Sequence, residues 1–282
     1  MENYIAEINQ NLNILMNKLP DSAVKEAMVY ALNGKGKRIR PLIFIATLNS
    51  LGVDYRKYLD IACSIEMIHT YSLIHDDLPG MDNDDYRRGR LTCHKVYGES
   101  IAILAGDSLL NEACRIIIAN SHLNATVKLE LIDSLYHASG INGMILGQEI
   151  DILNENSLVN IDILNNMHKL KTGALIAVSF KMAALIANVD YVPYQQAGYD
   201  LGLAFQIQDD ILDVVGQFEK LGKPVGSDID NNKSTYVSLM GIEKSRKKID
   251  ELFDRIDQFT TNFDSPEKDI EAIVNLIKGR DH

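Results

Sequence analysis

Residues 59–85 read LDIACSIEMIHTYSLIHDDLPGMDNDD, an apolar segment that ends in a run of aspartates. The part from Leu59 to Ile74 is apolar on nearly every side of a helix, which predicts a central, buried helix. The polar side chains within it, Glu66, His69 and Ser72, must therefore meet partners or line a cavity. Because aspartate is costly at the end of a buried helix, the acidic run calls for a cation or an ion pair.

Helical periodicity continues along most of the chain. No region alternates apolar and polar residues for long enough to predict a strand, and no linker or low-complexity tract divides the sequence. We therefore expect an all-α fold, with one domain over residues 1–282. The clearest amphipathic helix lies near the C-terminus, where apolar residues recur at three- and four-residue steps: Ile242, Ile249, Leu252, Phe253, Ile256 and Phe259.

The overall composition excludes some partners. The chain has 28 Lys and Arg against 39 Asp and Glu, a net charge of −11, which argues against nucleic acid and against an anionic membrane surface. The most apolar segment, Ala174 to Val189, contains Ser179 and Lys181, so we expect a buried helix and no membrane insertion. The N-terminus shows no signal pattern, and the three cysteines match no zinc or disulfide spacing, which predicts a cytoplasmic protein with reduced thiols.

A second acidic cluster, FQIQDDILD, occupies residues 205–213. Asp209 and Asp213 are four residues apart and share a helix face, whereas Asp210 is rotated from Asp209 by about 100°. Carboxylate oxygens favour a hard cation, and Mg²⁺ typically binds one or two carboxylates plus substrate phosphates. Helix capping or a solvated acidic face is the alternative for either cluster taken alone.

The first acidic cluster needs a break in its helix to act as one site. On an unbroken helix Asp76 and Asp82 would diverge by about 240°. Pro79 and Gly80 lie between them and can interrupt the helix, so that a loop turns Asp82 back toward Asp76.

Two basic segments accompany the acidic clusters. Residues 34–41 read GKGKRIRP, with four cations beside two glycines, which suits a diphosphate because arginine donates a fork of hydrogen bonds. A solvated turn is the alternative for this segment. Arg87 and Arg88 follow the first acidic cluster, either as internal counter-charges or as a second anion clamp. His69 shares a helix face with Asp76, although it can also be a buried histidine with a core partner.

These motifs occur together in an order that resembles the trans-prenyl diphosphate synthases, and most closely the bacterial farnesyl diphosphate synthases. The match extends from residues 36–41 to residues 233–236 and includes GQEID at 147–151 and KTG at 171–173. The two-residue insertion Pro79-Gly80 is similar to that of the bacterial farnesyl type. The resemblance implies a large helical bundle of the isoprenoid synthase type around a deep central cavity, a homodimer and three Mg²⁺ ions.

The resemblance also implies roles for individual residues. The implied metal ligands are Asp76, Asp82 and Asp209, with Asp77 and Asp213 as secondary or water-mediated contacts. The implied contacts to the diphosphate of an allylic substrate are Arg87, Lys171, Lys223 and Lys233. The implied contacts to isopentenyl diphosphate are Lys37, Arg40, His69 and Arg88. Thr172 and Gln206 would lie near the allylic carbon and form the catalytic set with Lys171.

The implied reaction condenses isopentenyl diphosphate with dimethylallyl and geranyl diphosphate to give (2E,6E)-farnesyl diphosphate. In such enzymes the residues just before the first aspartate motif form the floor of the product cavity. Tyr71 and Ser72 are five and four positions before Asp76. A bulky Tyr71 predicts a C15 product, whereas the small Ser72 leaves a C20 geranylgeranyl product as the alternative. A terpene cyclase and a non-catalytic partner subunit are the remaining hypotheses.

Overall fold

The computed structural model describes residues 1–155, 157–220, 234–261 and 269–279, with backbone alone for 215–220. These residues are helical almost throughout, which confirms the all-α expectation. The α-helices of the described residues are Glu2–Asn17 (α1), Ala23–Leu32 (α2), Ile39–Ser50 (α3), Leu59–Asp76 (α4), Cys93–Tyr97 (α5), Glu99–Ala119 (α6), Ala125–Ser139 (α7), Met144–Leu153 (α8), Ile161–His168 (α9), Ala174–Ile186 (α10), Val192–Lys220 (α11), Tyr236–Met240 (α12), Ile242–Thr260 (α13) and Asp269–Lys278 (α14).

Three short elements complete the described secondary structure: a 3₁₀ turn at Tyr55–Tyr58, a π-turn at Lys169–Gly173, and an antiparallel hairpin of β1 (Tyr86–Arg87) and β2 (Arg90–Leu91). The hairpin is not predicted by the sequence, because two-residue strands are too short to show alternation. Its turn residues, Arg88 at φ 54° and Gly89 at φ 76°, both lie in the left-handed region, as the tight turns of hairpins require.

The chain divides into two compact units, Met1–Ile132 and Asp133–His282. In the first unit, α4 packs mainly against α6 and also against α1 and α3. α4 is buried on all sides, as its sequence predicts, and its buried residues include Ile61, Ile65 and Ile68. Since a fully buried isoleucine side chain stabilises a fold by about 1.5–3 kcal/mol, α4 forms the centre of this unit's core. The expectation of one domain over the whole chain stays a prediction.

In the second unit, α10 packs against α11, and α11 packs against α13. The apolar α10 is buried along nearly its whole length, as predicted. Leu252, Phe253 and Ile256 form the buried face of α13, which confirms the amphipathic helix read from the sequence. None of the described helices combines the length and the apolar character needed to cross a membrane.

The three cysteines are free thiols, and two of them are packed in the core. Cys63 and Cys93 are buried, and Cys114 is half-buried. Burial raises the pKa of Cys63 to about 12 and that of Cys93 to about 11, which leaves both thiols protonated and unreactive at neutral pH.

Candidate active site

The aspartates of the first unit lie where α4 ends. Beyond Asp76 the chain folds back on itself, so that the backbone N–H of Asp82 donates to the carbonyl of Asp76 at 2.8 Å. The backbone N–H of Asn83 donates to the carbonyl of Leu78 at 3.1 Å, and Asn83 adopts a left-handed backbone at φ 51°. The loop through Pro79 and Gly80 therefore interrupts the helix and brings Asp82 back beside Asp76, as the spacing predicts.

Asp77 is the buried member of this group, with 4% of its side chain exposed. Its two carboxylate oxygens accept hydrogen bonds from the Nε of Arg87 at 2.7 and 3.0 Å, and an Nη of Arg87 lies 2.5 Å from one of them. Burial raises the pKa of Asp77, while the bonds from Arg87 act in the opposite direction. Asp77 thus fixes the guanidinium of Arg87 near the exposed aspartates, and a contact of Asp77 to metal stays a prediction.

A cluster of cations in the same unit lacks enough compensating negative charge. The Nε of Arg40 is buried without a hydrogen-bond partner among the described residues. Burial lowers the pKa of Arg40 to about 10, with Glu66 opposing the shift and Arg88 adding to it. Burial, together with Arg40 and Arg88, also lowers the pKa of His69 well below its ordinary value. Such a field of positive potential favours an anion.

Arg38 holds this cationic segment in place. Its Nη1 lies 2.5 Å from an oxygen of Glu66 on α4, and both side chains are almost completely buried. Its Nε donates to Asn9 at 3.0 Å, and its Nη2 donates to the carbonyl of Leu32. Arg38 adopts a left-handed backbone at φ 50° and begins α3, because its carbonyl accepts the N–H of Leu42 at 3.0 Å. It therefore fixes the start of the helix that carries Arg40.

Gly36 makes room for the guanidinium of Arg88. A Cβ at Gly36 would lie 2.5 Å from an Nη of Arg88, a distance that real Cβ atoms do not show. The structure thus brings Arg40, His69 and Arg88 together, while the neighbouring Lys37 is exposed; the role of these residues in binding a diphosphate stays a prediction.

In the second unit, the π-turn Lys169–Gly173 carries the predicted catalytic side chains. The Nζ of Lys171 lies 2.5 Å from the Oδ2 of Asp151 on α8. The hydroxyl of Thr172 donates to the Oε1 of Gln206 on α11 at 2.5 Å. A π-turn widens the helix by one residue and often marks a functional site, and here it presents Lys171 and Thr172 to two different helices.

Glycines let the neighbouring helices touch this turn. A Cβ at Gly147 of α8 would lie 2.3 Å from the backbone nitrogen of Lys171, and a Cβ at Gly202 of α11 would lie 2.6 Å from the Cα of Gly173. Because the obstructing atoms are backbone, no side-chain movement can relieve either contact. These close approaches hold the turn, and with it the direction of Lys171 and Thr172.

The second acidic cluster lies on α11, where Asp209 and Asp213 are half-buried one turn apart. Asp210 accepts the backbone N–H of Tyr236 at 2.7 Å and so ties α12 to α11. A cavity of about 190 Å³ opens beside this contact, and its lining includes Asp151, His168, Lys171, Gln206, Asp210 and Thr235. The predicted Lys171 and Gln206 therefore face one polar space within this unit.

Residues 21–277 match the family model of the polyprenyl synthetases. The chain belongs to this family. It is 49% identical to a farnesyl diphosphate synthase of Micrococcus luteus over 86% of both chains, and 45% identical to that of Geobacillus stearothermophilus over 92% of this chain and 89% of the relative. A Helicobacter pylori geranyltransferase, complexed with magnesium and isoprenyl diphosphate, is 33% identical with a TM-score of 0.84 and covers 99% of this chain and 97% of its own.

The donor chemistry of this polyprenyl synthetase fits a hard cation that is shared with substrate. Among the residues with described side chains, no group of three or more His, Cys, Asp or Glu could hold a metal ion by itself. The candidate ligands in both acidic clusters are carboxylates, and Mg²⁺ usually takes only one or two of these together with phosphate oxygens. Asp76 and Asp82 are adjacent through their backbone hydrogen bond in the first unit, and their role as ligands stays a prediction.

Two ion pairs at the site are not predicted by the sequence. Asp151 lies in the GQEID motif, yet its partner Lys171 is twenty residues away and no local pattern joins them. The Arg38–Glu66 pair had a signal in the sequence, because a glutamate in an apolar helix requires a partner. Lys223 and Lys233, predicted to contact diphosphate, lie outside the described residues.

Proposed function

We propose that this polyprenyl synthetase is a short-chain trans-prenyl diphosphate synthase. It condenses isopentenyl diphosphate with dimethylallyl diphosphate and then with geranyl diphosphate, and it releases (2E,6E)-farnesyl diphosphate. The bacterial relatives named farnesyl diphosphate synthase, at 40–49% identity, support this product. A relative named geranylgeranyl diphosphate synthase is 39% identical, so the C20 alternative has no better support.

The observation that carries the proposal is the cation cluster of Arg40 and Arg88, with the buried His69 beside it. A condensation needs two diphosphate sites, one for the diphosphate that departs and one for the diphosphate that stays on the product. Asp76 and Asp82 suit the first, with metal. The cation cluster contains a buried, unpaired Arg40 Nε and suits the second without metal. A terpene cyclase has no use for this second anion site.

Stabilisation of the departing diphosphate is the first chemical task of the site. Breakage of the bond between the allylic carbon and its oxygen places negative charge on the diphosphate, which Arg87 and Lys171 stabilise electrostatically. Asp76, Asp82 and Asp209 would hold Mg²⁺, with Asp77 and Asp213 in secondary contacts. When bound, the metal supplies Lewis-acid stabilisation of the same charge.

Thr172 and Gln206 stabilise the allylic cation that remains. The Thr172 hydroxyl donates a hydrogen bond to Gln206, which leaves the lone pairs of the hydroxyl oxygen available to the cation. The alkene of isopentenyl diphosphate then attacks the allylic carbon and forms the new carbon–carbon bond. The departing diphosphate accepts the proton that is lost, so no covalent enzyme intermediate forms.

Tyr71 sets the product at C15 by closing the floor of the cavity. Its side chain is buried, with 6% of the residue exposed, and burial together with the charge of Asp76 raises its pKa to about 12. Ser72 donates its hydroxyl back to the carbonyl of His69 at 2.9 Å and stays within its own helix. The larger side chain of Tyr71 therefore limits the length of the product.

The remaining parts of the proposal are three Mg²⁺ ions per active site, a homodimer and a cytoplasmic location. Titration of Mg²⁺ in the presence of a diphosphate, followed by calorimetry, measures the number of ions. Light scattering of the purified chain measures its oligomeric state.

The decisive experiment incubates the enzyme with Mg²⁺, dimethylallyl diphosphate and isopentenyl diphosphate, and separates the products by chain length. Mainly C15 material is expected, and mainly C20 or longer material would contradict the product assignment. A product formed without isopentenyl diphosphate would identify a cyclase instead. Magnesium-dependent diphosphate binding without turnover would identify a non-catalytic subunit.

Kinetics of Arg40→Ala test the second diphosphate site. The loss of a charged hydrogen-bond donor, worth about 1.5–3 kcal/mol, raises the KM for isopentenyl diphosphate by about tenfold or more. The KM for the allylic substrate changes much less. Arg115→Ala is the matched control, because Arg115 on α6 makes a surface pair with Glu112. Equal changes in both KM values would contradict the proposed role of Arg40 in binding isopentenyl diphosphate.

A further inference from the structure

The His75 side chain of α4 lies against the neighbouring helix α6. His75 directly precedes Asp76 on α4, and its ring extends to α6. Its Nε2 lies 3.1 Å from the carbonyl oxygen of Ile103. Because a carbonyl can only accept, the Nε2 carries the proton and donates it, which fixes the ring on the surface of α6.

Gly106 gives the ring the space that it occupies. A Cβ at this position would lie 2.1 Å from the Nε2 of His75 and 2.6 Å from its Cδ2. Any side chain at position 106 would therefore displace the imidazole or separate the two helices. Gly106 and the carbonyl of Ile103 together determine where the His75 ring lies.

The His75 ring in turn contacts Tyr71. The two ring centroids are 5.8 Å apart with an interplanar angle of 76°, an edge-to-face contact. Tyr71 lies five residues before Asp76, about 7.5 Å along the helix axis, and its pKa responds to the charge of Asp76. A substrate whose diphosphate is bound at Asp76 would extend its hydrocarbon chain past this pair.

We propose that His75, placed by Gly106 and by the Ile103 carbonyl, is a positioning residue that holds the Tyr71 ring across the path of the growing chain. This inference rests on the proposed role of Tyr71 as the floor of the product cavity. Product length is then a property of four residues on two helices, since a tyrosine without this support can rotate and admit a longer chain.

The test compares the products of His75→Ala and Gly106→Ala with those of the wild type. The first variant removes the ring, and the second forces it from its position. An edge-to-face contact is worth about 1 kcal/mol, so the ratio of C20 to C15 product is expected to rise about fivefold in both. Arg115→Ala is the control, because Arg115 is an exposed residue of the same helix, α6, and pairs with Glu112.

The double variant separates positioning from a general loss of structure. When the ring is absent, a methyl group at position 106 has room, so His75→Ala/Gly106→Ala is expected to give the product ratio of His75→Ala alone. Tyr71→Ala is assayed in parallel. Longer products from Tyr71→Ala, with wild-type products from both single variants, would overturn the role of His75. Wild-type products from Tyr71→Ala would overturn the proposed cavity floor itself.

Discussion

Replacement of Glu66 by glutamine tests whether the buried pair with Arg38 supports the anion site. The exposed fractions of the two side chains are 4% and 3%, so water compensates neither charge when the other is lost. Removal of one partner from such a pair costs about 3–5 kcal/mol. Because glutamine still offers Arg38 an acceptor oxygen, the expected loss of stability in Glu66→Gln is near the lower end of this range, at about 3 kcal/mol.

Thermal unfolding measures this loss directly. For a chain of this size each kcal/mol lowers Tm by about 2–4 °C, so a decrease of roughly 6–12 °C is expected for Glu66→Gln. Glu112→Gln is the matched control, since Glu112 pairs with the exposed Arg115 at 2.6 Å and a surface pair is worth about 0–1 kcal/mol. The Arg38→Met/Glu66→Leu double variant removes both charges and is expected to regain only part of the lost stability, because the bonds of Arg38 to Asn9 and Leu32 are lost and the left-handed backbone at residue 38 remains.

The same variant has a kinetic signature. Because Arg38 begins the helix that carries Arg40, disturbance of the pair is expected to raise the KM for isopentenyl diphosphate more than the KM for the allylic substrate. A decrease in Tm no larger than that of Glu112→Gln would refute the reasoning. So would a large decrease accompanied by unchanged kinetics at the temperature of the assay.

Three further predictions concern the second unit. In Gly202→Ala the new Cβ must push against the Cα of Gly173. The free energy of unfolding is expected to fall by about 1–3 kcal/mol, and kcat is expected to fall as well. A Tm equal to that of the wild type would contradict this. In Asp151→Asn the Nζ of Lys171 loses its charged partner, and kcat/KM for the allylic substrate is expected to fall about tenfold, with the KM for isopentenyl diphosphate unchanged. Burial lowers the pKa of His168 to about 4 from 6.5, so between these pH values the unfolded chain binds more protons than the folded one. The free energy of unfolding is therefore expected to fall by up to about 3 kcal/mol as the pH falls from 6.5 to 4. Urea unfolding at several pH values measures this dependence, and His168→Phe should flatten it.

The parts of the fold that the sequence predicts are those with a long, uniform pattern. α4 and α10 are apolar on nearly all sides, and α13 repeats its apolar residues at helical spacing, so burial alone determines their places. The return of Asp82 to Asp76 is also predictable, because proline and glycine interrupt the helix between them. Each of these conclusions uses information within one segment of the chain.

The parts that the sequence does not predict are either very short or held by distant partners. The hairpin at Tyr86–Leu91 and the π-turn at Lys169–Gly173 are too brief to show a periodicity of their own. The pairing of Asp151 with Lys171, and the packing of Gly202 on Gly173, depend on which helices become neighbours. The pattern of one segment contains no information about that choice.

Backbone strain connects the first unit's architecture to its chemistry. Arg38 and Arg88 both adopt left-handed backbone conformations, which cost roughly 1–2 kcal/mol for a residue with a side chain. Glycine would remove that cost at either position, yet it would also remove the guanidinium. The buried bond to Glu66 compensates the strain at Arg38, and the tight hairpin turn requires it at Arg88. The strain at Arg88 therefore accompanies a guanidinium of the proposed anion site, whereas the strain at Arg38 accompanies the residue that begins the helix carrying Arg40.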